Sequence, residues 1–338
     1  MKLVNHSGQP AELMQGEIDP GQMHGSVLTR MRCVLGTDSS LTLATGDDAL
    51  DDLRRDPIED EYGIIEPDIP YPRVATDVIV LADARCPDGP KVATKVGLQV
   101  GPYAQELLVV GDRVWEKSLG ALTPSSPAAF EVMPLTWANA FGGAAQGPYG
   151  PVKYPANPLG KGYVLDANAA VGQPLPNIED PDRPIRAWND RPDPVGFGPY
   201  PSNWMLRQRE CVEIVPGPQR EAKLVMHPEQ GMFDRAHPRL SGQPVRPGDP
   251  VVVTGTSFAP RVAFALPPCP FETEIRIGGK TWVRELELEE LLLDLRHGLV
   301  ELSYRKLFKY PWVPHQRREM VLRVRERTQT QTQTQTQA

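Results

Sequence analysis

The chain has 338 residues, of which 40% are hydrophobic, 23% are charged and 37 are prolines. This composition supplies enough apolar side chains for a core and so excludes global disorder, while the prolines disfavour long helices because proline lacks a backbone N–H donor. The net charge of −7 argues against a dedicated nucleic-acid binder, since such domains are normally basic.

Short strands are predicted along the first part of the chain, because β-forming residues are frequent there and apolar and polar residues alternate in several segments. The predicted strands are residues 2–14, 26–34, 74–85, 91–100 and 105–115. The Pro-Asp-Gly-Pro segment at 87–90 predicts a hairpin turn between two of them, since glycine adopts positive φ at little cost. We therefore expect an antiparallel meander.

One short helix is predicted at residues 133–141, ended by Gly142 and Gly143, because glycine is the usual residue after a helix. Strands then resume at residues 211–215, 250–256, 261–267, 272–279 and 321–327. The paired glycines at 278–279 predict a hairpin.

The apolar segment from residue 287 onward allows two interpretations. The propensity of residues 287–295 is compatible with a helix, but the alternation before and after His297-Gly298 favours two strands joined by a turn. The Thr-Gln repeat that follows residue 327 has the composition of a disordered tail.

These elements predict a mainly β fold with few short helices. We expect two β-rich, sandwich-like lobes at residues 1–132 and 209–327, flanking an irregular segment at 133–208 that we call the platform. Residues 328–338 form the disordered tail in this prediction.

Residues 111–204 are rich in glycine, proline and aromatic side chains, and they hold four of the six tryptophans. Large rings can anchor irregular chain on a core, because each buries roughly 150–250 Å². Aromatic residues also dominate the contacts that bind other proteins. We therefore predict a partner-binding surface and expect about half of its rings to be exposed. Its candidate residues are Trp137, Asn139, Phe141, Tyr154, Tyr163, Phe197, Tyr200 and Trp204, with Tyr149 as a further aromatic candidate.

Sequence motifs give little support for catalysis. The chain has no phosphate-binding loop, no nucleophile elbow and no HExxH motif. The remaining candidates are the acidic knot around Glu179 and Asp180 and the loop that holds His227 and His237. A metal-assisted hydrolase would need these four side chains to converge on one ion. A loop or core role for them is the alternative, and we predict no catalytic residue, metal or cofactor.

Charge is distributed unevenly along the sequence. Residues 47–61 contain eight acidic residues and two arginines, whereas residues 305–327 contain eight basic residues and two glutamates. Two solvated faces are the simpler interpretation, and docking of the acidic run on a basic partner surface is the alternative. Four scattered cysteines and the lack of an apolar signal or membrane segment lead us to expect a cytoplasmic protein that binds neither membrane nor nucleic acid.

Six ordered motifs resemble a bacterial family, the domain of unknown function 2169. They are YPRVATDVIVLADARCPDGP, VVGDRVWE, EVMPLTWANAFGG, NPLGKGY, LPNIEDP and PVGFGPYPSNW. The similarity covers roughly residues 1–325. Members of this family accompany type VI secretion clusters, and many are fused to pentapeptide repeats that this chain lacks. The family has no agreed catalytic residues to carry over.

The resemblance implies a non-enzymatic adaptor, or chaperone. Such a protein would hold a toxin effector in the cytoplasm and help load it onto the VgrG spike or its PAAR tip. The metal-assisted hydrolase described above and a structural accessory component of the secretion apparatus are the alternatives. A structural component would remain in assembled particles, whereas an adaptor would be lost after loading.

Overall fold

The computed structural model of the protein describes residues 1–68, 73, 76–118, 120–204, 207, 212–216, 222–226 and 233–325. The predicted tail and His227 lie outside these residues. In chain order the strands are β1 Lys2–His6, β2 Ala11–Asp19, β3 Gln22–Leu35, β4 Leu41–Leu43, β5 Ile58–Asp60, β6 Gly63–Ile65, β7 Asp77–Leu81, β8 Asp83–Arg85, β9 Ala93–Val100, β10 Tyr103–Val110, β11 Trp115–Ser118, β12 Ala121–Pro124, β13 Val132–Pro134, β14 Phe141–Gly142, β15 Ala144–Gly147, β16 Gly150–Lys153, β17 Lys161–Gly162, β18 Ile178–Glu179, β19 Val212–Pro216, β20 Ala222–Met226, β21 Pro250–Thr254, β22 Arg261–Ala265, β23 Phe271–Ile277, β24 Lys280–Glu285, β25 Glu287–Asp294, β26 Leu299–Pro311 and β27 Arg318–Val324.

Among the residues that the structure describes, helical structure is limited to short pieces. Helix α1 spans Ala167–Ala170, and single 3₁₀ turns lie at Gly46–Asp48, Trp137–Asn139 and Pro238–Leu240. The prediction of a mainly β fold with few short helices is therefore confirmed. None of the helices that the structure describes has the length and apolar character that crossing a bilayer requires.

Three larger sheets organise the chain. A six-stranded sheet has the order β2-β3-β26-β25-β7, with β4 paired to β3. A five-stranded sheet has the order β18-β10-β9-β21-β22, and a four-stranded sheet has the order β1-β27-β23-β24. Each of these sheets pairs strands from residues 1–132 with strands from residues 209–327. The predicted boundaries 1–132, 133–208 and 209–327 therefore do not separate the sheets.

The predicted strands form where apolar side chains alternate. In β10, Tyr103 and Leu107 are buried while Ala104 and Glu106 are exposed. This is the pattern of a strand with one face on a core. The turns around His297-Gly298 and Gly278-Gly279 also form as predicted. The first joins β25 to β26, and the second joins β23 to β24 with positive φ at both glycines, as a tight hairpin of this kind requires.

The helix predicted at residues 133–141 is wrong. The segment instead forms β13, one 3₁₀ turn and β14. A helix of nine residues is marginal in isolation. Here the backbone bonds outside the segment, since the N–H of Leu135 donates to the carbonyl of Ala82 at 3.0 Å.

The hairpin predicted at residues 87–90 is wrong in its pairing. A turn does form there, with positive φ at Asp88 and Gly89, but β8 pairs with β13 and β9 pairs with β10 and β21. The turn residues therefore determine that the chain reverses, but they do not make the two strands on either side of the turn pair with each other.

Three hydrophobic cores hold the sheets and the platform. The main core combines residues of the six-stranded sheet (Val78, Leu302) and the five-stranded sheet (Val96, Val253) with Trp137 of the platform. A second core around Trp115 and Phe141 supports the rest of the platform. A third core, formed by Val27, Ile275, Ile277, Tyr310 and Met320, packs the four-stranded sheet on one end of β3 and β26.

Candidate functional site

Four of the predicted partner-binding rings lie in the main core. They are Trp137, Phe197, Tyr200 and Trp204, all buried. The Trp137 ring meets those of Tyr200 and Trp204 edge to face, with centroids 5.6 Å apart in both pairs. Its Nε1 donates to the carbonyl of Pro199 at 2.8 Å. These rings anchor irregular chain from inside the protein.

Of the other four predicted residues, Phe141, Tyr154 and Tyr163 belong to the second core or pack against it. Phe141 is buried, and its ring meets the half-buried ring of Tyr154 edge to face at 4.9 Å. Tyr154 in turn lies 5.2 Å from Tyr163, which is covered by the guanidinium of Arg191. Asn139 is half-buried and donates to the carbonyl of Pro134 at 2.9 Å.

The expectation that about half of these aromatic rings would be exposed is wrong. Of the nine candidate residues, Tyr149 alone is fully exposed. Irregular chain makes few repeating backbone hydrogen bonds, so its position depends on anchors that are buried. In this conformation Trp137, Phe141, Phe197 and Tyr200 have no surface to offer a partner.

The acidic knot is occupied by internal ion pairs. Glu179 Oε1 lies 2.5 Å from Arg113 Nη2, and its Oε2 accepts from the backbone of Ile185 at 3.1 Å. Asp180 pairs with Arg239 at 2.9 Å. Within the described ranges, no group of three or more His, Cys, Asp or Glu side chains is arranged to hold a metal ion.

His237 is a buried structural residue. Its Nδ1 accepts from the backbone N–H of Arg239 at 3.2 Å and caps the 3₁₀ turn that follows. Its ring lies 5.6 Å from those of both Trp137 and Tyr200. Burial, and then the charge of Arg239, lower the pKa of His237 from 6.5 to about 4.

This lowered pKa predicts an acid-dependent loss of stability. The unfolded chain takes up a proton below about pH 6.5, whereas the folded chain takes it up only near pH 4, so the contribution is present above pH 6.5 and declines as the pH falls. Between pH 7.5 and pH 5 the wild type should lose about 2 kcal/mol more free energy of unfolding than a His237→Asn variant. Urea unfolding of both proteins at the two pH values measures this. Equal losses would contradict a neutral His237 in the folded protein.

A dense group of charges is buried beside the six-stranded sheet. We call it the buried ion cluster; its members are Arg30, Arg54, Arg73, Arg235, Asp68, Asp77, Glu290 and Glu301. Glu290 Oε2 lies 3.0 Å from Arg73 Nη1 and 3.1 Å from Arg235 Nη1. Asp68, at the end of the loop that follows β6, is 2.6 Å from Arg30 on β3. Because its charges neutralise one another away from solvent, we assign this cluster a structural role.

A groove of about 600 Å³ lies between β24 and the last residues of β26. We call it the basic groove. Its basic lining residues are Lys280, Arg284 and Lys309, and no acidic residue from the described part of the chain lines it. Ile275 and Ile277 of β23 and residues 307–311 of β26 form its apolar walls.

The basic groove also exposes large apolar side chains. Trp282 is 38% exposed and Leu307 is 46% exposed. Trp312, just beyond β26, is 51% exposed and lies beneath the guanidinium of Arg318 at 4.4 Å. Exposed apolar side chains that cluster beside one sign of charge are typical of an interaction surface.

This groove was not predicted from the sequence. Two signals pointed to the region: the Gly-Gly hairpin that ends beside Trp282, and the excess of basic residues at 305–327. Neither signal shows that β24 and the end of β26 are neighbours. That proximity depends on the third core, which packs the two sheets together.

Comparison with known proteins identifies a family. A family model described as "Uncharacterized protein conserved in bacteria (DUF2169)" matches residues 20–305. No curated protein and no solved structure matches the chain. The match covers well over half of the sequence, and the protein therefore belongs to the DUF2169 family.

Proposed function

We propose that the protein is a non-enzymatic adaptor that binds a type VI secretion effector in the cytoplasm and helps load it onto the VgrG or PAAR spike. The single observation that carries this proposal is the basic groove, where Trp282 and Leu307 are exposed beside Lys280 and Lys309. Membership in the DUF2169 family also supports this proposal, because the resemblance of the six motifs to that family implies an adaptor of type VI secretion.

The groove suits a carrier that must release its cargo. Apolar side chains such as Trp282 supply affinity when water is excluded from them, and a charged rim selects the partner and is weakened by salt. Trp282 is 38% exposed, so well over half of its surface is already covered and binding buries only the remainder. A partly covered apolar anchor beside a charged rim favours moderate affinity, which is what loading and release require.

Delivery of an effector tests the function directly. Deleting the gene in the native bacterium should abolish secretion of one effector while other cargo of the apparatus is still secreted. Mass spectrometry of culture supernatants measures this. Undiminished secretion of every effector would contradict the adaptor role, and retention of the protein in purified secretion particles would support a structural component instead.

Capture by the purified protein tests the site. Wild type should retain the effector or a spike component from native lysate, and a Trp282→Ser, Leu307→Ser variant should retain at least about 30-fold less, because an interface anchor is worth about 2 kcal/mol. Tyr149→Ser, which removes a fully exposed ring elsewhere, is the matched control and should bind like wild type. Equal capture by all three proteins would exclude the groove as the site.

A further inference from the structure

We infer that the basic groove receives an extended, acidic segment of the partner, which adds as a strand along the free edge of β26. This inference rests on the proposed function only in taking the partner to be a polypeptide. It specifies how that polypeptide is held and which residues it carries.

One edge of β26 is open near the end of the strand, within the described part of the chain. Strand β25 pairs with β26 only as far as Glu287, opposite Arg305. Beyond that point β26 continues through residues 306–311, which pair with β3 on the other side, from Lys306 opposite Val27 to Pro311 opposite Gln22. No other strand in the described part of the chain pairs with these residues. They leave about 20 Å of edge, at roughly 3.3 Å per residue, for an incoming strand.

An apolar wall lines the groove beside this edge. Ile275 lies opposite Trp282 and Ile277 lies opposite Lys280 in the pairing of β23 with β24, so these side chains share one face of the sheet. That face lines the groove. Side chains of a strand alternate between its two faces. An added strand would therefore place side chains from one of its faces against the exposed part of Trp282, and those positions should be apolar.

The groove is also positively charged. Lys280, Arg284 and Lys309 line the groove, and none of them forms an ion pair within the described residues. They create a positive surface on a chain whose net charge is −7. Aspartate or glutamate in the partner segment would complement this surface, both steering its approach and fixing its register.

The same charges disfavour a second copy of this chain as the occupant. A two-fold dimer brings the same surface of both copies together. Lys280, Arg284 and Lys309 would then face their own counterparts across the contact. Lysine on an open strand edge is also a feature by which proteins avoid pairing with themselves.

Selection from a peptide library tests the inference with a defined probe. Random peptides of about twelve residues, displayed on phage, are selected on the full chain. We expect enrichment of acidic sequences with apolar residues at every second position. Fluorescence polarisation should show at least about tenfold weaker binding to a Lys280→Glu, Arg284→Glu variant and to Trp282→Ser.

The controls separate the groove from the rest of the surface. Arg261→Glu reverses an exposed charge on β22, in another sheet, and Tyr149→Ser removes an exposed ring, so both should bind the selected peptides like wild type. Thermal unfolding confirms that each variant is folded. Enrichment of basic or uncharged peptides, binding that the groove variants do not weaken, or no enrichment would each overturn the inference. The inference would also be overturned if light scattering showed that the wild type is a dimer and that Trp282→Ser is a monomer.

The mode of binding has its own test. Methylating one backbone nitrogen at a time in a selected peptide should weaken binding at every second residue, because alternate N–H groups of an added strand point toward the edge of β26. A loss without this period of two would exclude strand addition. If gene deletion stops effector secretion but the groove variants bind the selected peptides like wild type, the inference fails and the adaptor function stands. If deletion leaves secretion unchanged but the groove variants bind the peptides more weakly, the adaptor function fails and the inference stands.

Discussion

Replacing Glu290 by glutamine is expected to lower the free energy of unfolding by about 3–5 kcal/mol, because removing one member of a buried ion group leaves uncompensated charge behind. Glu290 lies between Arg73 at 3.0 Å and Arg235 at 3.1 Å, with Arg54 at 3.5 Å. Glutamine preserves the shape of the side chain but cannot neutralise these guanidinium groups. Urea unfolding at neutral pH measures the difference.

The exposed pair between Lys95 and Glu106 provides the control. These side chains are 2.6 Å apart but largely exposed to solvent. A Glu106→Gln variant should cost less than about 1 kcal/mol, as surface ion pairs do. If the two glutamine variants lost similar free energy of unfolding, then the burial of Glu290 would not make its charge more important for stability than that of an exposed glutamate.

The pKa of Glu290 sets the pH range of this effect. Burial opposes its ionisation, but Arg235, Arg73, Arg54 and Arg30 outweigh burial and hold the pKa well below its ordinary value of 4.5. A lowered carboxyl pKa gives stability that is present above pH 4.5 and is lost as the pH falls toward the folded-state value. The destabilisation by Glu290→Gln should therefore be complete at neutral pH.

Replacing Trp137 by alanine is expected to cost about 3–5 kcal/mol of unfolding free energy, the range for removing a large aromatic side chain from a core. Trp137 is buried between Tyr200, Trp204 and His237, and no exposed position is available to it. Gly196 packs directly on its ring, where an added Cβ would meet the indole at 3.2 Å. Collapse of the surrounding loops onto the cavity would relieve only part of this loss.

A Trp137→Phe variant separates packing from hydrogen bonding. Phenylalanine keeps much of the apolar contact but leaves the carbonyl of Pro199 without its donor, which should cost about 1–3 kcal/mol. Chemical unfolding of both variants beside Tyr149→Ala, whose ring is fully exposed, measures these terms. A change below about 0.5 kcal/mol for Trp137→Ala would contradict its burial.

These predictions separate stability from binding. If the platform is a support, then a Trp137→Phe protein that remains folded should capture partners normally. The groove variant at Trp282 should unfold like wild type and capture poorly. Loss of capture by folded Trp137 variants would instead return the binding site to the platform.

Local sequence patterns predicted those strands that have one face on a core and the other face toward solvent. Residues 91–100 alternate in the sequence, and β9 buries Val96, Leu98 and Val100 on one face; the glycines at 278–279 adopt the positive φ of a hairpin. The same patterns were misleading at residues 133–141, where short-range propensity suggested a helix. That segment instead forms backbone hydrogen bonds with residues far away in the sequence, such as Ala82, Lys161 and Asn177.

The sequence by itself determined the mainly β character, the positions of several turns and the family, because alternation, glycine conformation and ordered motifs are all local properties of the chain. Only the tertiary structure decided which strands are neighbours, which platform rings are buried and where β24 meets β26. Those outcomes depend on contacts between residues far apart in sequence, such as Glu301 with Arg30 and Tyr310 with Gln15. A hydrophobic pattern shows that a side chain needs to be buried, but it does not specify its partner.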